Sequence, residues 1–212
     1  MKKNVFVLPI NKILFMSYTT IYKIDTDGDV IECGGIDDRF TLLIHQLMHI
    51  KWFRLIENLL EKPEGLAEDE PITLDMIQLT GQMDAFWTLY RNMEVPQEHR
   101  LVFGSTFNYM TINRDNFDAM IEAYRVFMSD LEYCEEAFPF KDIRNLIDII
   151  DGLKGNTDCV GFCMCPSFKA SHWDVYSEAG DYSAYNINKF NRHTELFDET
   201  TKIEESIKQK NL

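Results

Sequence analysis

Three cysteines and a histidine stand close together late in the chain. Cys159, Cys163 and Cys165 lie in CVGFCMCP (159–166), and His172 follows after a short turn. The cysteine run reads as a β-strand. Alternate strand residues share a face, so the three thiols are expected to point the same way. A hairpin through 167–171 would pair this strand with HWDVY (172–176) and set His172 opposite or beside Cys165. Three thiolates and one imidazole suit zinc, which takes four sulfur or nitrogen ligands. The CxxxCxC spacing differs from the two-residue gap usual in zinc knuckles, and free cysteine also packs as a small hydrophobe. A zinc-stabilised protein or enzyme built on these four residues is therefore an alternative reading, not the leading one. Cys163 or Cys165 with His172 could also form a nucleophile–base pair. That chemistry needs an oriented base and an oxyanion site, which spacing alone does not supply.

Other constellations carry less. His45 and His49 are four apart and share a helix face, but no glutamate stands between them as in HExxH, so packed, hydrogen-bonded histidines are the better reading. Asp25, Asp27 and Asp29 in DTDGD match the first three ligand positions of an EF-hand loop. The required glycine is replaced by Val30 and the terminal glutamate by Ile36, which leaves a hairpin turn. GxGxxG, GxxxxGK[ST] and GxSxG are absent.

Carboxylates are the abundant reactive group. They gather at Glu61, Glu64, Glu68, Asp69 and Glu70, again at Asp130, Glu132, Glu135 and Glu136, and a third time at Glu195, Asp198, Glu199, Glu204 and Glu205. Most charge runs are solvated surface. The sharper reading is a negative face that imitates nucleic acid, whose duplex carries one charge per roughly 1.7 Å of axis. The first two groups are the candidate binding residues.

The elements that must position these groups are legible in outline. TTIYKI and VIEC flank Asp27-Gly28, a strong hairpin signal. Asp37-Asp38 is expected to cap a helix running to about Leu60, with a broad apolar stripe from Phe40 to Leu59. After an acidic loop (61–72), Thr73 is expected to cap a helix carrying Leu74, Ile77, Met83, Phe86, Trp87 and Tyr90. LVFGSTFNYMTI (101–112) reads as one strand or two short ones. Asn113 is expected to cap a helix through Leu131, and another helix follows Pro139 and ends near Gly152 or Gly155. The expected fold is α+β: a helical core of about four helices, an N-terminal β-hairpin and a second short hairpin near the C-terminus. Pro9, Asn11 and Lys12 break the apolar start of the chain, so it does not read as a signal peptide. Met16 opens the hairpin pattern and is a second candidate start. The organisation expected is an extension over 1–15, one domain over 16–193 and a charged tail over 194–212, in which ELFDETTKIEESIKQKNL reads as a frayed helix or an open tail.

The chain has 212 residues, 45% hydrophobic, with a net charge of −14. That size accommodates one domain with a sizeable core. The charge disfavours direct binding to nucleic acid or an anionic membrane, and no apolar run approaches the eighteen or so residues of a membrane span. Five cysteines, an odd number, without a signal peptide point to reduced thiols and a cytoplasmic location. In composition and size the chain is similar to acidic anti-defence proteins of phages and mobile elements, of the anti-CRISPR or antirestriction kind; the similarity rests on no aligned motif. It implies a non-enzymatic inhibitor in the host cytoplasm that occupies the basic surface of a protein or nucleoprotein complex. An oligomeric interaction subunit, packed through the long apolar helix, is the remaining alternative.

Overall fold

The computed structural model describes residues 19–36, 40–67, 69–166, 174–176 and 182–210. Strands β1 (Thr19–Asp25) and β2 (Val30–Ile36) form the expected hairpin. Strands β3 (Met110–Asn113), β4 (Cys159–Pro166) and β7 (Thr194–Glu195) complete a mixed sheet of order β2-β1-β4-β3-β7, in which only β3 and β7 run parallel. Two further strands, β5 (Asp174–Tyr176) and β6 (Tyr182–Ala184), pair with each other. The α-helices among the described residues are α1 (Phe40–Trp52), α2 (Leu74–Leu79), α3 (Met83–Trp87), α4 (Gln97–Gly104), α5 (Phe117–Asp130), α6 (Lys141–Lys154) and α7 (Leu196–Lys210). The fold is α+β, and among the described residues no helix is long and apolar enough to cross a membrane.

The sheet separates two layers. Ile21, Ile112, Phe162 and Met164 face the helices and join the main core with Phe40, Ile44, Leu47, Phe103, Tyr124, Phe127 and Ile150. Tyr22, Ile24, Val30, Cys163 and Cys165 face the other way and are covered by Tyr185. The hairpin turn is held from that second side. Asn186 Nδ2 donates to Asp27 O (3.0 Å) and Asp29 Oδ1 (2.6 Å), and Asn188 Nδ2 to Asp27 O (3.0 Å). Gly28 has φ +85°, and a Cβ there would lie 2.4 Å from Asn188 Nδ2, so the turn needs glycine for both conformation and space.

Several elements differ from the sequence expectation. The helix expected to reach Leu60 ends at Trp52 and tightens into two 3-10 turns, Phe53–Leu55 and Glu57–Leu59, a common way for a helix to finish. These turns bury Ile56 and leave Leu59 52% exposed. Its Asp37-Asp38 cap lies outside the described residues. The helix expected from Thr73 is two helices broken at Gly81, whose φ is +71°; the Thr73 hydroxyl does cap the first, accepting Met76 N at 3.3 Å. Residues expected as strand at 101–104 belong to α4. Leu101, Val102 and Phe103 are all buried there, and a helix enclosed on every side reads as a featureless apolar run. Asn113 makes no side-chain cap; α5 is entered through a 3-10 turn at Arg114–Asn116.

The residues expected as a charged tail close the sheet edge as β7 and form α7. Leu196 and Thr200 are fully buried, and one turn further Glu204 meets Arg100 of α4. Spacing of four puts these groups on one face of an otherwise polar helix. Arg100 is 2% exposed; its Nη2 donates to Glu204 Oε1 and its Nε to Val95 O (3.2 Å), while Nη1 has no partner among the described residues.

Removing one member of such a pair leaves the other charge buried and unpaired. Glu204→Ala is expected to cost about 3 kcal/mol in chemical denaturation, whereas the Arg100→Met/Glu204→Leu double variant recovers most of that loss. Equal losses in both variants would show that the site needs packing volume, not charge pairing.

Candidate functional site

The cysteine strand is present as β4, but it does not gather the three thiols. From Thr19↔Pro166 to Ile24↔Gly161 the β1–β4 register is regular; the next pair is Asp25↔Cys159. One extra residue, Val160, is therefore bulged out of β4, and a bulge inverts the alternation beyond it. Cys159 enters the helix-side core with Phe162, while Cys163 and Cys165 enter the opposite layer. The Cys159 thiol donates to Gly161 O at 3.2 Å. Burial pushes the Cys163 thiol well above its ordinary value, which disfavours a thiolate. Nor does β4 pair with β5, the described part of the expected partner strand: among the described residues the neighbours of β4 are β1 and β3, and β5 pairs with β6. His172 itself lies outside the described residues. Among the described residues no three His, Cys, Asp or Glu side chains converge as a metal group. Sequence alternation missed the arrangement because a bulge leaves no mark in residue type.

The histidines are engaged with protein. His45 Nε2 meets Thr106 Oγ1 at 3.1 Å, and the Thr106 hydroxyl itself donates to Phe103 O, so the imidazole is the donor. His45 also sits against the rings of Phe86, Trp87 and Phe103. His49 Nε2 donates to Ile72 O at 3.1 Å. A third histidine, His99, is fully buried between α1 and α5: Trp52 Nε1 donates to its Nδ1 (3.1 Å), which fixes the proton on Nε2, facing Asp130 Oδ2 (3.1 Å). The DTDGD turn is likewise occupied, since Asp25 Oδ1 accepts Asp27 N and Asp29 N at 3.0 and 2.9 Å.

The carboxylate groups sort into three kinds. At 130–136, Asp130 accepts from His99 and Glu135 pairs with Arg144 at 2.6 Å, leaving Glu132 and Glu136 exposed without a partner among the described residues. At the C-terminus, Glu204 is bound to Arg100, and Glu195 accepts from Asn113 N and Asn116 Nδ2. The first group is different. Glu61, Glu64, Asp69 and Glu70 are exposed and form no ion pair among the described residues, and the same holds for Glu57, Asp75 and Asp84, which sequence reading did not include. Glu68 lies outside the described residues. Over 57–84 the chain has eight acidic residues against one lysine, a net −7, half of the total.

A polar bridge draws this stretch together. Gln82 Oε1 accepts Glu61 N at 2.6 Å and Gln82 Nε2 donates to Glu61 O at 2.9 Å, fastening the acidic loop to the turn between α2 and α3. The bridge sets Glu61 beside the turn that leads to Asp84. Two leucines of the same stretch emerge: Leu59, half exposed, and Leu79, 87% exposed. The apolar stripe of α1, by contrast, is turned inward, with Phe40, Leu43, Ile44, Leu47, Met48 and Trp52 all in the core.

Compared with protein-family models, curated proteins and solved structures, the chain shows no match in any of the three.

Burial among rings lowers His45 to about 4 from an ordinary 6.5, and burial moves His49, His99 and His193 in the same direction. The folded state then holds these protons less tightly than the unfolded chain. Stability is complete above pH 6.5 and falls as pH drops toward 4, by up to about 3 kcal/mol from His45 alone. Thermal melts of the native protein between pH 7 and pH 4.5 are expected to fall more steeply than those of His45→Gln. Parallel slopes would remove His45 as the cause.

Proposed function

We propose that this protein is a non-enzymatic binding protein whose 57–84 face occupies a basic surface of a partner, the surface by which that partner holds nucleic acid. The observation that carries this reading is the set of seven carboxylates over 57–84 that are exposed and form no ion pair among the described residues, in a stretch fastened together by the Glu61–Gln82 bridge. In the other two acidic groups Asp130, Glu135, Glu195 and Glu204 have cations or hydrogen-bond donors beside them. Exposed Leu59 and Leu79 add apolar area in the same stretch, and an apolar centre with a charged surround is the usual anatomy of a protein interface. Charge supplies steering and choice of partner, while desolvated apolar contact supplies affinity. Occupying such a surface excludes nucleic acid by competition, which makes the protein an inhibitor. Its compositional similarity to acidic anti-defence proteins supports a nuclease or nucleoprotein complex of host defence as the target.

A nona-arginine peptide serves as a partner-independent probe of the face, measured by calorimetry. Reversing Glu61, Glu64, Asp69 and Glu70 to Lys is expected to weaken binding at least about tenfold, about 1.4 kcal/mol. Reversing Glu132, Glu136, Asp148 and Glu205 changes net charge equally and is expected to do much less. Raising salt from about 0.05 to about 0.5 M shortens screening to a few Å and should remove most of the binding. Equal effects of the two reversals, or affinity indifferent to salt, would defeat the proposal.

A further inference from the structure

We infer that the cleft between α3, the chain that follows it and α7 is a receptor for one cationic side chain, with arginine the best fit. The inference rests on the basic-partner reading above and names the group that the partner inserts. The cleft has a volume of about 250 Å³, and its lining includes Asp84, Trp87, Tyr90, Arg91, Phe107 and Glu199. Asp84 belongs also to the acidic face, so the two features are continuous.

Its floor is aromatic and held rigidly. Phe107 meets Trp87 at 5.1 Å and Tyr90 at 5.2 Å between ring centroids, both edge-on. Behind Trp87 lie Phe103, stacked at 5.4 Å, and His45 at 5.2 Å. Tyr90 offers its ring and not its hydroxyl: that group donates to Thr200 Oγ1 (3.0 Å), whose own hydrogen goes to Leu196 O (2.8 Å). Gly104 lets α4 press against the back of this floor, since a Cβ there would lie 2.6 Å from Tyr90 Cε2 and 2.7 Å from Leu196 Cδ1. The loop bearing Phe107 turns into β3 at Tyr109, whose φ of +62° is a conformation that side chains other than glycine rarely adopt. Thr194 N, donating to Tyr109 O at 2.9 Å, holds it.

Charge on the walls selects the occupant. Asp84 and Glu199 form no ion pair among the described residues, and Arg91, on the same cleft, pairs with neither. Two carboxylates against one guanidinium leave a net −1, inside a molecule of −14. An anion would meet repulsion, and an uncharged apolar group would strip water from both carboxylates without replacing its hydrogen bonds. A cation is attracted to the aromatic faces and can donate to the carboxylates at once. Guanidinium does both best, because its plane stacks on a ring while its edge presents several N–H groups.

The test titrates the intact protein with N-acetyl-arginine amide and follows the Trp87 indole N–H by two-dimensional NMR, the signal being assigned by its loss in Trp87→Phe. A saturable shift is expected, absent with the uncharged N-acetyl-norleucine amide. Asp84→Asn and Glu199→Gln should each weaken binding at least about threefold, and Arg91→Ala should tighten it by about twofold. Loss of the shift in Arg91→Ala would mean that the cleft takes an anion or a zwitterion, and absence of any saturable shift would mean that it takes no cation; either overturns the inference. If nona-arginine still binds through the 57–84 carboxylates in that event, the cleft alone has failed and the functional reading stands. If the four-residue reversal has no effect either, both have failed.

Discussion

Two ladders of backbone hydrogen bonds meet on β4, which pairs with β1 along its whole length and with β3 on its other side, and the one extra residue at Val160 decides which layer each of its side chains enters. Phe162 and Met164 anchor the helices to the sheet; Cys163 and Cys165 fill the thinner layer under Tyr185. Entry into the strand is held by Arg114, whose guanidinium donates to Lys154 O (2.5 Å), Asn156 O (2.5 Å) and Cys159 O (2.7 Å). Those acceptors include the carbonyl of the last residue of α6, left without an intrahelical partner, so one cation ends the helix and fixes the start of β4. At Gly161 a Cβ would lie 2.8 Å from Ile112 O, so the approach of β3 to the bulged end of β4 also requires the missing side chain.

The helical layer is aligned by polar groups set into an apolar interior. His99 links Trp52 of α1 to Asp130 at the end of α5, His45 links α1 to Thr106 just past α4, and Arg100 links α4 to α7. Apolar packing alone tolerates sliding between helices, whereas a buried donor that loses its acceptor costs about 1–3 kcal/mol. Three directional ties on or beside α4 therefore fix its place among its neighbours. The same alignment sets Tyr90 and Trp87 edge-on to Phe107, so the aromatic floor is a consequence of how α4 is held.

Local signals were readable where local physics decides. Asp27-Gly28 identified the hairpin because its turn needs a positive φ, and the periodic apolar residues of α5 and α6 identified helices that are buried on one face. The failures share a cause. α4 is enclosed on all sides, so Leu101, Val102 and Phe103 carry no period. For α7 a helix was one of two open readings; its packing was missed, because it buries only a narrow stripe in which a threonine and a glutamate take positions that a hydrophobic pattern assigns to solvent. The Val160 bulge is a property of the register between two strands, and it split a cysteine set that simple alternation had united. Of the candidate site, the 61–70 carboxylates were visible in sequence; the Gln82 bridge, a contact between residues 21 positions apart, was not, and it sets Glu61 beside the turn that leads to Asp84.

The three acidic groups look alike in sequence and differ in what surrounds them. Arginine and histidine side chains reach Asp130, Glu135 and Glu204, whereas the stretch over 57–84 contains one lysine, and among the described residues its seven exposed carboxylates receive no ion pair. The bridge to Glu61 and the burial of Ile72, Leu74 and Ile77 hold this stretch together and to the rest of the molecule. A cationic surface, the partner proposed above, would meet seven carboxylates that no cation among the described residues already neutralises, and its attraction to them would need no rearrangement of the buried core.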